Sequence, residues 1–373
     1  MSKEPLQLAD NILLTLAGGN ALGAYQAGAY EALHERGIEP QWIAGASIGS
    51  INGAIIASNE PHCRVQRLRD FWRLAEQFGK PDPSLRPERQ GTSLEKQMAA
   101  LQAFLGGRPG LFSPRPAALL SALPGMREQV SLFDTSPLLA TLNELVDFEQ
   151  LNSGNVRLTA TAVDAETGDD VFFDTAHSHI EAEHLRASAA FPAAYPPVEI
   201  DGRVLVDPGL SANLPLRAAL CEPPQVDTLC LALDLLPLGG KRPRSLGDAV
   251  HRAQDLVFAS QSRRAIQTLQ TEYRLRAQAK APAPRRSGKG SAAANPDHGR
   301  GHVALLHIVY SDDEHETAAK MFDYSEVSIR NRWAAGYRDM HRGLEHFLSL
   351  GASGERSVFA AHRFERGALT SYD

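Results

Sequence analysis

Trp42-Ile43-Ala44-Gly45-Ala46-Ser47-Ile48-Gly49-Ser50-Ile51-Asn52-Gly53 is the stretch on which the fold of this chain turns. The apolar run Trp42-Ile43-Ala44 predicts a buried strand, and Ser50 to Ser58 has helical spacing. Between them, Gly45 and Gly49 flank Ser47 and let the backbone bend sharply. The spacing therefore predicts a strand-to-helix elbow that presents a serine hydroxyl at a sheet edge as a nucleophile. The five-residue pattern alone also fits a plain turn, so its surroundings must separate the two.

Upstream, Asn11-Ile12-Leu13-Leu14-Thr15-Leu16-Ala17 reads as a buried strand that ends in Gly18-Gly19-Asn20-Ala21-Leu22-Gly23. Tyr25 to Arg36 then has apolar residues at helical spacing, with Gly37 as a stop. Strand, glycine-rich turn and helix in this order expose consecutive N–H groups at the positive end of a helix, a seat for a phosphate or for an acyl-transfer oxyanion. The nucleotide motifs do not fit. Asn20 occupies the second glycine position of a dinucleotide fingerprint, and Ala24 and Tyr25 stand where a P-loop needs Lys and Ser or Thr.

Downstream, Leu205-Val206-Asp207-Pro208-Gly209-Leu210-Ser211-Ala212-Asn213-Leu214-Pro215-Leu216 puts an acid at the junction of an apolar run and a turn. Alone, Asp207 reads as a solvated turn residue; beside the two upstream features it reads as half of a catalytic pair. Strands are predicted at 11–17, 41–46, 156–163, 170–174, 203–207, 226–234 and 302–309, with Asp201-Gly202 closing a hairpin between Val198–Ile200 and Arg203–Leu205. Alternation of these strands with helical patterns predicts an α/β fold with a parallel sheet covered on both faces. The acidic run Asp164 to Asp170 lacks the closing glutamate of a calcium loop and reads as another hairpin turn.

Taken together, Leu16 to Gly28, Gly45 to Gly53, Arg186-Ala187-Ser188-Ala189-Ala190-Phe191-Pro192, Tyr195-Pro196-Pro197 and Asp207-Pro208-Gly209 resemble the patatin-like phospholipase family of serine acyl hydrolases. The resemblance covers roughly residues 10 to 240, and residues 245 to 350, with Lys320 to Ser325 and Arg332-Trp333, resemble the C-terminal extension of a bacterial subset. It implies a parallel-rich central sheet sandwiched by helices with a mostly helical extension. It also implies a Ser-Asp dyad in which Ser47 attacks an ester carbonyl, Asp207 takes the proton, and the N–H groups of Gly18, Gly19 and Asn20 hold the oxyanion. Two residues depart from the family pattern, which usually has glycine at Asn20 and at Pro208. Asparagine tolerates left-handed geometry, but proline fixes its own φ and presses Asp207 towards an extended backbone. The alternative Ser-acid-His order, with His302 or His307 as base, conflicts with the single strand and helix that precede Ser47.

At 373 residues the chain can form one large domain or two, and a net charge of −6 leaves no global basic field for nucleic acid. Cys63, Cys221 and Cys230 have no C-x-x-C spacing and read as reduced core thiols of a cytosolic protein. Met1 to Asp10 lacks the pattern of a signal peptide or membrane span. The expected organisation is a hydrolase core at 10–220, then 221–350 with the remaining strands and the helical extension, then a tail at 351–373. Residues 79–137, rich in proline and glycine around Leu111-Phe112 and Leu119-Leu120, read as an insertion, either a lid or a segment packed on the core. Residues 277–301 have the composition of a disordered loop. Leu246, Val250, Ala253 and Val257 share one helix face, as do Ile329, Trp333, Tyr337, Met340, Leu344 and Phe347; both read as core or dimer contact.

The resulting expectation is a cytoplasmic hydrolase of phospholipids or related acyl esters that uses neither metal nor organic cofactor. Its partner is a lipid substrate and not nucleic acid, with peripheral contact at the inner membrane face and a homo-oligomer left open. The alternatives are an esterase, thioesterase or storage-polyester hydrolase on the same fold, and a non-catalytic lipid-binding protein.

Overall fold

The computed structural model describes residues 8–76, 93–116, 118, 130–280, 301–311, 316–317, 319–350 and 357–372. β1 (Asn11–Leu16), α1 (Ala24–Glu35), β2 (Trp42–Ala46) and α2 (Ile48–Ala57) follow one another as the sequence predicts, and α3 (Pro61–Glu76) comes next. Residues 12–16 and 43–46 are buried without interruption, as expected of parallel strands covered on both faces. The insertion contributes α4 (Ser93–Gly106) and a short ribbon of β3 (Ser113–Pro114) with β4 (Phe133–Asp134). Phe112 is buried there, 4.8 Å from the Phe133 ring and 5.4 Å from that of Tyr195, so this part of the insertion is packed on the core. Residues 79–92, 117 and 119–129, including Leu119 and Leu120, lie outside the described residues.

Beyond the insertion come α5 (Ser136–Leu145), α6 (Phe148–Asn152), β5 (Arg157–Asp164), β6 (Asp170–Asp174), α7 (Ala182–Ser188), β7 (Val198–Ile200) and β8 (Arg203–Val206). The chain continues through α8 (Gly209–Ala212), α9 (Leu216–Leu220), β9 (Thr228–Asp234), α10 (Leu246–Lys280), β10 (Val303–Val309), α11 (Glu326–Ser349), β11 (Phe359–Glu365) and β12 (Ala368–Ser371). The main sheet has ten strands in the order β12-β11-β10-β9-β1-β2-β5-β8-β7, with β6 also paired to β5. From β11 to β5 the pairings are parallel; β12, β6, β8 and β7 join antiparallel. The fold is α/β, with a mostly parallel sheet, helices around it and a helical C-terminal region.

Several expectations change. Residues 359–371, expected as a tail, form two strands at the sheet edge, because Phe359, Ala361 and Phe364 bury their side chains beside β10. Of the cysteines, Cys230 alone is buried; Cys63 is half-buried and Cys221 exposed. Residues 277–280 close α10, and the rest of the expected disordered loop, 281–300, lies outside the described residues. The Leu246 face of α10 is not core: Leu246 is 82% exposed and Val250 50%. Asp164 does close a hairpin turn, its carboxylate accepting the N–H groups of Glu166 and Thr167.

The face of α11 behaves as core. Ile329, Met340 and Leu344 are buried, and the Ser325 side chain caps the helix by accepting the Ser328 N–H. α11 lies directly on α1, where a Cβ on Gly28 would come within 1.9 Å of the Trp333 carbonyl oxygen, so only glycine fits the contact. The C-terminal region is thereby packed against the helix that follows the first glycine-rich turn.

Candidate active site

The elbow is built as its sequence demands. Ser47 has φ 55° and sits at the N-cap of α2, between buried Ala46 and a first helical turn pressed against β1. A Cβ on Gly49 would meet the Leu16 carbonyl oxygen at 2.2 Å, which is why glycine must stand there. The Ser47 N–H donates to Ser188 Oγ at 3.0 Å, and the Ser50 hydroxyl donates to the Ser47 carbonyl at 2.6 Å, so the strained residue is held from both sides.

Strand register brings the acid to it. Ala46 at the end of β2 pairs with Thr161 of β5, and Val206 at the end of β8 pairs with Val163 of the same strand. Ser47 and Asp207 therefore leave the sheet at neighbouring levels on either side of β5, and both line one cavity of about 430 Å3. Asp207 is 4% exposed, and its Oδ1 accepts the Gly209 N–H at 2.7 Å. Burial pushes its carboxyl up to about 6, against the opposing pull of the Ser47 hydroxyl and the Gly209 N–H. Pro208 has φ −76° and is accommodated without turning Asp207 from the cavity; the N–H that proline lacks is supplied one residue later by Gly209.

The first loop forms the facing wall. Gly18 is so close that a Cβ there would lie 3.1 Å from Ser47 Cβ, and Gly18, Gly19 and Asn20 all line the cavity. Their amides are not equivalent. The Gly18 N–H donates to the Asn213 carbonyl at 3.0 Å, whereas the N–H groups of Gly19 and Asn20 have no acceptor among the described residues. Asn20 has φ 53°, the left-handed geometry that asparagine tolerates. Behind the loop, Gln26 donates to the Ala17 carbonyl at 2.7 Å, and Asn52 donates to the Gly23 carbonyl and to Gln26, each at 3.0 Å.

Some residues of the site carried no role in the sequence reading. Asn213 donates from Nδ2 to the Gly18 carbonyl at 3.1 Å and so latches the Asp207 segment to the first loop. Ser188 fixes the elbow amide. Both are buried small polar residues within the quoted motif stretches, and that was the only signal available. Phe191, Tyr195, Val250, Val257, Phe258 and Phe322 supply apolar walls, so the α10 face expected to be core or dimer contact lines this cavity instead. Among the described residues, no histidine is in its lining. His307 is bound to Tyr372 at 2.6 Å and to Asp234 at 3.3 Å, two strands from β1, and His302 pairs with Asp227 beside the opposite ends of the strands. A larger cavity of about 750 Å3, lined by Lys241, Arg242, Arg244 and Arg252, includes none of these site residues. Among the described residues, no group of three or more His, Cys, Asp or Glu is placed to hold a metal ion.

Fold and site together define an α/β protein with an elbow serine, a buried carboxylate and a glycine-rich anion loop around one apolar cavity. A family model described as patatin-like phospholipase matches residues 14–220, and a second, described as patatin phospholipase, matches residues 256–353. The chain belongs to the patatin-like phospholipase family. A Mycobacterium bovis relative described as an uncharacterized NTE family protein is 26% identical over 205 residues, covering 55% of this chain and 44% of its own length; Mycobacterium tuberculosis counterparts match equally. The chain thus spans less than half the length of these relatives. Among solved structures, VipD from Legionella pneumophila matches with a TM-score of 0.41 and 15% identity, over 90% of this chain and 67% of its own. The type III effector ExoU matches with a TM-score of 0.37 and 14% identity, over 92% of this chain and 54% of its own.

Proposed function

We propose that the protein is a serine-dependent carboxylic ester hydrolase acting on phospholipids or related acyl lipids through a Ser47-Asp207 dyad. The observation that carries this reading is a hydroxyl at a strained elbow sharing an apolar cavity with a buried carboxyl whose proton affinity has risen to about 6. A carboxylate of ordinary basicity is a poor proton acceptor from serine; burial narrows that gap.

Ser47 Oγ attacks the ester carbonyl carbon while its proton passes to Asp207, and the carbonyl oxygen becomes an oxyanion received by the Gly19 and Asn20 N–H groups. Gly18, proposed from sequence as a third donor, has its N–H committed to Asn213 and serves to shape the loop. Collapse breaks the bond to the alcohol, which leaves with the proton from Asp207. Water then attacks the acyl-enzyme while Asp207 accepts its proton, and as the bond from the acyl carbon to Ser47 Oγ breaks Asp207 returns that proton to Ser47, releasing the carboxylic acid. The apolar walls suit an acyl chain, and exposed Leu210, Leu246, Val250 and Val257 near the cavity suit contact with a lipid surface.

Turnover of p-nitrophenyl butyrate and of phosphatidylcholine by purified protein tests the reading. Ser47→Ala and Asp207→Asn are each expected to lower kcat by about a thousandfold or more. Full activity in either variant would reject the dyad, and absence of turnover in the native protein on any ester or thioester would favour lipid binding without catalysis.

A further inference from the structure

We propose that Tyr324, from the segment preceding α11, is a positioning residue that holds the anion loop in its oxyanion-binding shape through the side chain of Asn20. This rests on the reading of Gly19 and Asn20 as oxyanion donors. The Asn20 side-chain amide is clamped at both ends: its Oδ1 accepts the Tyr324 hydroxyl, and its Nδ2 donates to Tyr195 Oη at 3.2 Å. Both rings are buried, Tyr324 at 2% exposure and Tyr195 at 8%, and Phe112 packs against the two. With φ 53°, Asn20 occupies a left-handed backbone state that asparagine tolerates but does not require, so the two side-chain hydrogen bonds select it over the ordinary right-handed and extended states.

The anchor is itself rigid. Arg332, with no exposed surface, grips Glu316 through two contacts of 2.7 Å, donates to the Asp323 carbonyl at 2.7 Å and the Lys320 carbonyl at 3.0 Å, and reaches the Ala21 carbonyl of the anion loop at 3.2 Å. One buried guanidinium thus ties the segment bearing Tyr324 to the loop that Tyr324 holds. Residues 316–317 and 319–332 brace the anion loop, which gives the C-terminal region a role beyond the cavity wall that Phe322 and α10 supply.

A double-mutant cycle between Tyr324→Phe and Asn20→Gly tests the brace, since glycine adopts positive φ without a side-chain anchor. With p-nitrophenyl butyrate, Tyr324→Phe is expected to lower kcat about tenfold with KM unchanged, because a loosened oxyanion seat weakens the transition state and not ground-state binding. In the Asn20→Gly background the same change is expected to cost less than about twofold. Hydrogen exchange of peptides spanning residues 16–24 gives a second readout that needs no turnover: faster exchange is expected in Tyr324→Phe than in the native protein. Equal losses of kcat in both backgrounds, or unchanged exchange in the loop, would overturn the brace. An inactive native protein whose loop still loosens in Tyr324→Phe would reject the hydrolase reading alone and leave the brace standing.

Discussion

At Asp207 the cost of the proposed role as base is visible in one residue. Its carboxyl titrates near 6 in the folded chain against 3.8 in model peptides, a difference on the order of 3 kcal/mol. Because the folded form holds its proton to higher pH, stability falls as pH rises from about 4 to about 6 and stays at the lower level above that window. Asp207→Asn is therefore expected to raise the urea midpoint at pH 8 and to leave it nearly unchanged at pH 4; urea titrations at both pH values check this, and an equal shift at both would refute it. The proposed catalysis has the opposite dependence, since Asp207 as base must be ionised: kcat/KM is expected to rise through pH 6 and level off above it, which a pH–rate profile reads directly. Ser47 and Asp207 were legible in sequence because glycine-flanked turns declare themselves within a few residues. The shift at Asp207 was not, because the cavity it faces is lined by segments as distant as α10 and Ala319, Met321 and Phe322.

Among elements, the β2–α2 elbow is the most local and was read within two residues of its observed limits. Its tightness gives a sharp expectation: Gly49→Ala drives a methyl into the Leu16 carbonyl, where backbone on both sides cannot yield, and is expected to cost about 3 kcal/mol in urea unfolding. A loss under 0.5 kcal/mol would show that the elbow is looser than described. α10 is the contrary case. The 3.6-residue spacing of Leu246, Val250, Ala253 and Val257 marks an apolar face but not what the face meets, and the structure turns it towards the cavity and solvent. The α11 face, with equal periodicity, is buried on α1 and β10. Periodicity alone could not separate the two, since the difference lies in which partner each helix meets across the sheet.

Across the whole molecule, the segment from β1 to Asp207 supplies the proposed reacting groups and the rest of the chain completes their surroundings: β9 to β12 extend the sheet, α10 walls the cavity, and residues 316–317 and 319–332 brace the anion loop. That division was half legible, because the strands at 226–234 and 302–309 carry plain apolar runs whereas 359–371 are short and mixed and find their place by pairing, β11 with β10 and β12 with β11. The exposed side of α10 has a consequence at this scale. Leu246 stands outside the cavity and is 82% exposed, so Leu246→Asp is expected to weaken binding to phosphatidylglycerol vesicles about tenfold in a sedimentation assay, as loss of one inserted leucine would. Turnover of a soluble ester should stay unaltered, and unchanged vesicle binding would place the membrane contact elsewhere. The most direct test of the catalytic assignment is covalent. After exposure to a fluorophosphonate, mass spectrometry of native protein should find one phosphonyl adduct, on the peptide containing Ser47, and none in Ser47→Ala; an unmodified Ser47, or an adduct that persists in Ser47→Ala, would contradict the assignment of Ser47 as the nucleophile.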